Sequence, residues 1–183
     1  MPLSIKEIEQ LKHWFAEHNV PLEIELIEKF ELYHDLILSW SSRMNLVSKG
    51  DLRHLLEYHI LDSLIPLSEI PNGAKILDIG SGGGFPAIPL ALVSPDSHFT
   101  LLESIHKKIL FLRVVIEKLN LKNMIINEAR LEETESLPIY DIITVRALPR
   151  WENFLEKIKN FLNSRGRIIY FEKRGIYRVI TKQ

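Results

Sequence analysis

The residues most able to do chemistry lie in one short stretch, Leu77-Asp78-Ile79-Gly80-Ser81-Gly82-Gly83-Gly84-Phe85-Pro86. An apolar run ends at Gly80, the backbone turns through glycines, and Pro86 suits the first turn of a helix. Glycines permit positive φ and let a ligand come against bare backbone. One or two would serve a tight turn. Four in the five positions 80–84 point instead to a ligand loop at the carboxyl edge of a sheet. A dinucleotide fingerprint fits loosely as Gly82-x-Gly84-x-x-Ala87, with Glu103 nineteen residues beyond Gly84 to hold ribose hydroxyls. A Walker loop is excluded, because no Gly-Lys-Ser/Thr follows.

Other reactive side chains offer less. The chain has no cysteine, so it has no disulfide, thiolate zinc site or Cys nucleophile. Its seven histidines show no metal-ligand spacing. His54 and His59, five apart, fall off a common helix face, His59 reads as structural, and no metal is expected.

The elements around the loop change character along the chain. Ser4-x-x-Glu7 is a capping box, followed by an apolar stripe of Ile5, Ile8, Leu11, Trp14 and Phe15. Pro21 opens a second predicted helix carrying Leu26, Phe30, Tyr33, Ile37 and Trp40, and a third is expected from about Leu52 to Leu64. After Pro71-Asn72-Gly73, apolar runs at 75–79, 98–103, 124–128, 140–145 and 167–171 read as strands. Helical spacing separates the second from the third (Ile105 to Leu119) and the fourth from the fifth (Trp151 to Leu162). Strand alternating with helix implies parallel strands with right-handed crossovers, an open α/β sheet. Ile176 to Thr181 is expected to return as one antiparallel strand. The division is therefore a helical extension over 1–70, packed on a core over 71–183.

Composition narrows the class. There are 23 Lys+Arg against 24 Asp+Glu, for a net charge of −1, and 46% of residues are hydrophobic. That excludes disorder and low complexity, and glycines and prolines break the longest uncharged run, so no membrane partner is expected. The N-terminus lacks the basic-then-apolar pattern of a secretory leader, and a cytoplasmic monomer is the expectation. The near-zero total hides an asymmetry: residues 1–40 hold three Lys against eight acids, whereas residues 165–182 hold six basic residues against Glu172 alone. Arg43, Lys49, Arg53, Arg146 and Arg150 are expected to join that basic tail around one mouth, which suits selective rather than indiscriminate nucleic-acid binding.

Asp78-x-Gly80-x-Gly82-x-Gly84 with Glu103 resembles motif I and its acidic partner in class I S-adenosylmethionine methyltransferases. The match tightens with His59-Ile60-Leu61-Asp62-Ser63-Leu64, with Gly84-Phe85-Pro86-Ala87-Ile88-Pro89-Leu90, with Arg130-Leu131-Glu132-Glu133 and with Val145-Arg146-Ala147. These elements, in this order between Trp40 and Gly175, resemble the GidB/RsmG family. That family methylates N7 of a guanosine in bacterial small-subunit (16S) ribosomal RNA.

The resemblance implies a Rossmann-like class I methyltransferase fold with an N-terminal helical extension and a shortened C-terminus. It implies S-adenosyl-L-methionine as cofactor and the ribosomal RNA of the small subunit as partner. Gly80, Gly82 and Phe85 would hold the cofactor in the glycine loop, Glu103 its ribose, and Leu131 and Glu132 its adenine. Arg146 would orient the guanine or the cofactor carboxylate, or else would pair with Asp141 or Glu172 at the sheet edge. Asp78 would either accept the loop's own N–H groups or lie near the methionine amine. Guanine N7 already carries a lone pair at neutral pH, so no general base is expected. Two alternatives remain: a methyltransferase acting on another acceptor, and an NAD-binding oxidoreductase module. Only eighty residues follow Glu103, too few for a separate dehydrogenase substrate domain.

Overall fold

Short runs rich in Ile, Leu and Val alternate with helices from residue 75 onward, and in the computed structural model, which describes residues 3–182, they assemble into one six-stranded sheet. The strands are β1 (Lys75–Ile79), β2 (His98–Glu103), β3 (Met124–Glu128), β4 (Tyr140–Arg146), β5 (Leu162–Lys173) and β6 (Ile176–Thr181). Their order is β3-β2-β1-β4-β5-β6, with parallel pairing up to β5 and an antiparallel β6. Met1, Pro2 and Gln183, which fall inside the expected segment bounds, lie outside the described residues. Among the described residues no helix is long and apolar enough to cross a membrane.

Alternation along each strand serves both faces of the sheet. Ile76, Phe99, Ile142 and Ile169 join a core that also contains Leu11 and Phe15 of α1 (Ile5–Glu17) and Phe30, Tyr33 and Ile37 of α2 (Ile24–Ser41). Leu77, Ile143, Val145 and Ile168 pack on the other face with Trp151, Ile158 and Phe161. The N-terminal helices therefore complete the core of one sheet face. The capping box opens α1: the Ser4 hydroxyl accepts from the Glu7 N–H at 3.3 Å, and the Glu7 carboxylate accepts from the Ser4 N–H at 2.8 Å.

Three expected elements are corrected. Pro21 does not open α2, which starts at Ile24 after Glu23 in the N-cap position. The single helix expected over 52–64 is instead a chain of short turns: a 3₁₀ turn Asp51–His54, a π-helical turn Leu56–Leu61, α3 (Asp62–Leu64) and a 3₁₀ turn Ile65–Glu69 containing Pro66. Pro66 supplies no N–H, and a guanidinium from β4 bonds the Tyr58 carbonyl at 2.9 Å, a side-chain insertion of the kind that opens a helical ladder. The expected helix from Trp151 to Leu162 shrinks to a 3₁₀ turn Trp151–Phe154 and a short α-helix Leu155–Asn160. Leu162 pairs with Tyr140 at the start of β5, and residues 163–166 bulge before Arg167 regains register opposite Ile142.

Candidate active site

The strand order reverses between β1 and β4, where α/β sheets leave a crevice at the carboxyl ends. Ile79 and Val145 are in register there, so Gly80 and Arg146 emerge side by side. Gly80, Gly82 and Gly84 have φ of 73, 55 and 92°, a region that L side chains rarely enter. The loop leads into α4 (Ala87–Val93) across a cis Phe85–Pro86 bond, with Pro86 at the N-cap rather than in the first turn.

Two side chains far apart in sequence fix this loop. Glu103, 5% exposed, accepts the Gly82 N–H at 2.8 Å through one oxygen and the N–H groups of Ser104 and Ile105 at 2.9 Å through the other. Tyr33 of α2, fully buried, donates its hydroxyl to the Gly83 carbonyl at 2.7 Å. Burial pushes the Tyr33 phenol well above its ordinary pKa, so it keeps its proton and stays a donor. The resemblance gave Tyr33 no role. Only its place on the buried stripe of α2 marked it.

A cleft of about 330 Å³ opens in front of the loop, lined by Ile79, Gly80, Glu103, Leu131, Glu132 and Leu148, among others. Four of the residues expected at the cofactor, Gly80, Glu103, Leu131 and Glu132, thus share one cleft. Gly82 is turned to Glu103, and the Phe85 ring stands 5.4 Å from Tyr33 and 5.1 Å from His59. Neither lines this cleft. An added Cβ at Gly80 would lie 3.7 Å from Leu148 Cδ1, so the missing side chain keeps the cleft open. Asp78 is 1% exposed; its Oδ1 accepts from Thr144 at 2.7 Å, and its Oδ2 has no hydrogen-bond partner. Burial pushes its carboxyl up to about 7. The loop's N–H groups go to Glu103, the Leu102 carbonyl and the Ser81 carbonyl, which corrects the first reading of Asp78. Apolar walls, the carboxylates of Glu103 and Glu132, bare backbone at Gly80 and, at the foot of the loop, a buried Asp78 oxygen lacking a donor fit an adenosyl group joined to an amino acid. Lys108 Nζ, 3.8 Å from a Cβ placed on Gly82, adds a cation beside the loop.

Arg146 ends β4 but lines a second cleft, of about 340 Å³, with Asp51, Tyr58, His59, Phe171 and Arg174. Its ion-pair partner is Asp62, at 2.8 Å, which corrects both expected partners. Asp141 instead accepts from the Lys75 N–H at 2.7 Å, and Glu172 pairs with Arg178. Arg146 also donates to the Tyr58 carbonyl at 2.9 Å and to the Ser63 hydroxyl at 3.3 Å. Burial lowers its pKa, and the Asp62 carboxylate opposes that shift. Asp62 Oδ1 takes the Gly175 N–H at 2.6 Å, so one carboxylate ties the 51–64 segment to β4 and to the β5–β6 turn. His59 lies 3.5 Å from Asp51, and burial together with the Arg146 charge hold its imidazole below the ordinary range. Among the described residues no group of three or more His, Asp or Glu is placed to hold a metal ion.

The basic tail does not form one mouth. The antiparallel β5–β6 hairpin puts Arg167 opposite Thr181 at one end and Lys173 and Arg174 at the other. Arg167 pairs with Glu69 at 2.7 Å, Arg178 with Glu172 and Arg174 with Asp51. Arg53 belongs to a separate hollow beside Glu7. Of the expected set, Arg146, Lys173 and Arg174 line the second cleft.

A Rossmann-like sheet carrying a glycine loop against a cleft at its switch point fits the class I S-adenosylmethionine-dependent methyltransferase fold. Solved structures share this fold: M. jannaschii TYW2 in complex with AdoMet (TM-score 0.58, 22% identity, 70% of this chain and 55% of that one) and coclaurine N-methyltransferase bound to N-methylheliamine and SAH (0.57, 19%, 92% and 60%). Within that class the chain belongs to the GidB family, rRNA small subunit methyltransferase G, which matches residues 26–175. It is similar to the ribosomal RNA small subunit methyltransferase G of Chromobacterium violaceum, at 33% identity over 92% of this chain and 79% of the relative. The protein of the same name from Wolinella succinogenes is 32% identical over 94% and 89%.

Proposed function

We propose that this chain transfers a methyl group from S-adenosyl-L-methionine to N7 of one guanosine in 16S ribosomal RNA. Membership of the GidB family carries the reading, and the residues that follow Ala147 into the first cleft, Leu148 and Pro149, neither give nor take protons. An acceptor arriving with its own lone pair needs no base there. The bound cofactor would supply the electrophilic methyl group. The bare backbone at Gly80 would leave room for its amino-acid part, with Asp78 beside its amine, Glu103 at a ribose hydroxyl, and Leu131 and Glu132 at its adenine. Asp78 and a ligand ammonium would stabilise each other's charged forms. Rate enhancement then comes from in-line placement in a site that excludes water. In this reading Arg146 positions the rim of the acceptor site through Asp62 and Tyr58 and transfers no proton. The enzyme works as a monomer, without a metal, in the cytoplasm where its RNA is assembled.

The deciding experiment incubates the protein with labelled cofactor and small-subunit RNA, free or as particles, and digests the RNA for mass spectrometry. One 7-methylguanosine is expected, and the same nucleoside should vanish from cells lacking the gene. Methyl transfer to an exocyclic amine or to protein would overturn the assignment.

A further inference from the structure

The second cleft has a feature that holding Arg146 does not explain. Arg174, in the β5–β6 turn, lays its guanidinium on the Tyr58 ring at 3.7 Å from the ring centroid. Asp51 pairs with the same guanidinium and holds it in place. The Arg174 side chain is nevertheless 56% exposed, so a charged planar group is presented to solvent at the mouth of a cleft. His54 stacks on Tyr58 in turn, with centroids 4.6 Å apart and planes at 23°. Arg–aromatic stacks with one open face are surfaces on which unpaired nucleobases lie, and the guanidinium meets a phosphate equally well.

The placement of the cleft agrees with that chemistry. Arg146 and Ala147 line it, while the next two residues, Leu148 and Pro149, line the first cleft. Ala147 between them has φ of 51°, a conformation uncommon for a residue with a Cβ. The two clefts therefore meet across a single strained turn, as donor and acceptor sites of a group transfer must. Lys173 adds positive charge on the same rim.

We propose that the second cleft receives the target nucleotide of the RNA, splayed from its neighbours, with the Tyr58–Arg174 stack as the platform for a base and Arg174 and Lys173 meeting its phosphates. The inference rests on the RNA reading above and assigns the part of the molecule that performs it. Arg146 is then a positioning residue, Arg174 is the RNA contact, and Tyr58, with Arg174 on one face and His54 on the other, holds the guanidinium in place.

Methyl transfer is measured at varied RNA and varied cofactor, with wild type as reference. Arg174→Ala and Tyr58→Leu are expected to raise KM for RNA by about 5- to 100-fold. Both should leave calorimetric affinity for S-adenosylmethionine and the thermal midpoint near wild type. Tyr58→Phe keeps the ring under Arg174 and should restore most of what Tyr58→Leu loses. Arg174→Ala should also reduce the slope of log affinity against log salt by about one. Unchanged RNA KM and salt slope in Arg174→Ala, which is exposed enough to fold, would overturn the proposal and leave the stack structural. If wild type itself transfers no methyl to RNA, the RNA reading falls first and this inference with it.

Discussion

The two clefts sit on either side of residues 146–149, yet they are built by different physics. The first is a product of backbone geometry: strand ends of one parallel sheet, three glycines at positive φ, and a carboxylate that accepts main-chain N–H groups. The second is a product of charge pairing between distant segments, Arg146 with Asp62 and Arg174 with Asp51, across a sheet edge and a run of distorted helical turns. Ligand contact with bare backbone demands a shape held by main-chain geometry. An RNA mouth demands exposed cations and aromatic faces, and these need counter-charges to hold them still. The first cleft should therefore answer to steric changes and the second to changes of charge.

That contrast is sharpest at Arg146. Its removal leaves Asp62, 5% exposed, without its cation, and breaking such a pair costs ~3–5 kcal/mol. Arg146→Ala should lower stability by that order in denaturant titration, and adding Asp62→Asn should recover part of the loss. A full loss in the double mutant would mean that the two clefts share one mechanism after all. Next in size is the buried carboxyl behind the first cleft. Unfolded Asp78 ionises near its ordinary 3.8, whereas the folded protein keeps the proton to about 7. The folded state thus binds the extra proton between those values, and stability falls as pH rises across that window, by up to roughly 4 kcal/mol, then levels off. Melting followed from pH 4 to 8 should show this slope in wild type and a flatter curve in Asp78→Asn.

Two smaller tests address the loop. Tyr33→Phe leaves the Gly83 carbonyl without its donor, at a cost of ~1–3 kcal/mol, and should weaken cofactor binding while KM for RNA stays put. Equal effects on both substrates would blur the division between the clefts. Gly80→Ala forces a Cβ into a left-handed position, at ~1–2 kcal/mol, and narrows the first cleft toward Leu148. Calorimetry should find weaker cofactor binding with unchanged affinity for RNA.

Much of the first cleft was legible in the residues. Four glycines in five positions after an apolar run mark a strand end and a ligand turn, because few other residues enter those dihedrals. Glu103 follows as the end of the second strand, whereas Leu131 and Glu132, in the turn after the third, rest on the family resemblance. Tyr33 was not legible: a tyrosine on an apolar helix stripe looks like any core residue until its hydroxyl is seen 2.7 Å from Gly83. Nor was the partner of Arg146, since Asp62 lies on a segment that reads as regular helix and is not. The basic tail misled for a related reason. Six positive charges in a row of eighteen residues look like one surface, but an antiparallel hairpin puts Arg167 at one end of the paired strands and Lys173 and Arg174 at the other.

What the chain alone determined is its local grammar: the capping box, the alternation of strand and helix, the glycine turn, and family motifs that name a methyl-transfer site. These are properties of neighbouring residues, set by dihedral preference and hydrophobic period. Only the tertiary structure decided which acid neutralises Arg146, which ring carries Arg174, and that the chain passes from the lining of one cleft to that of the other after Ala147. Such pairings join residues that the sequence separates by as many as 123 positions, as between Asp51 and Arg174. No local rule fixes them, because a charge takes whichever counter-charge the fold brings within reach.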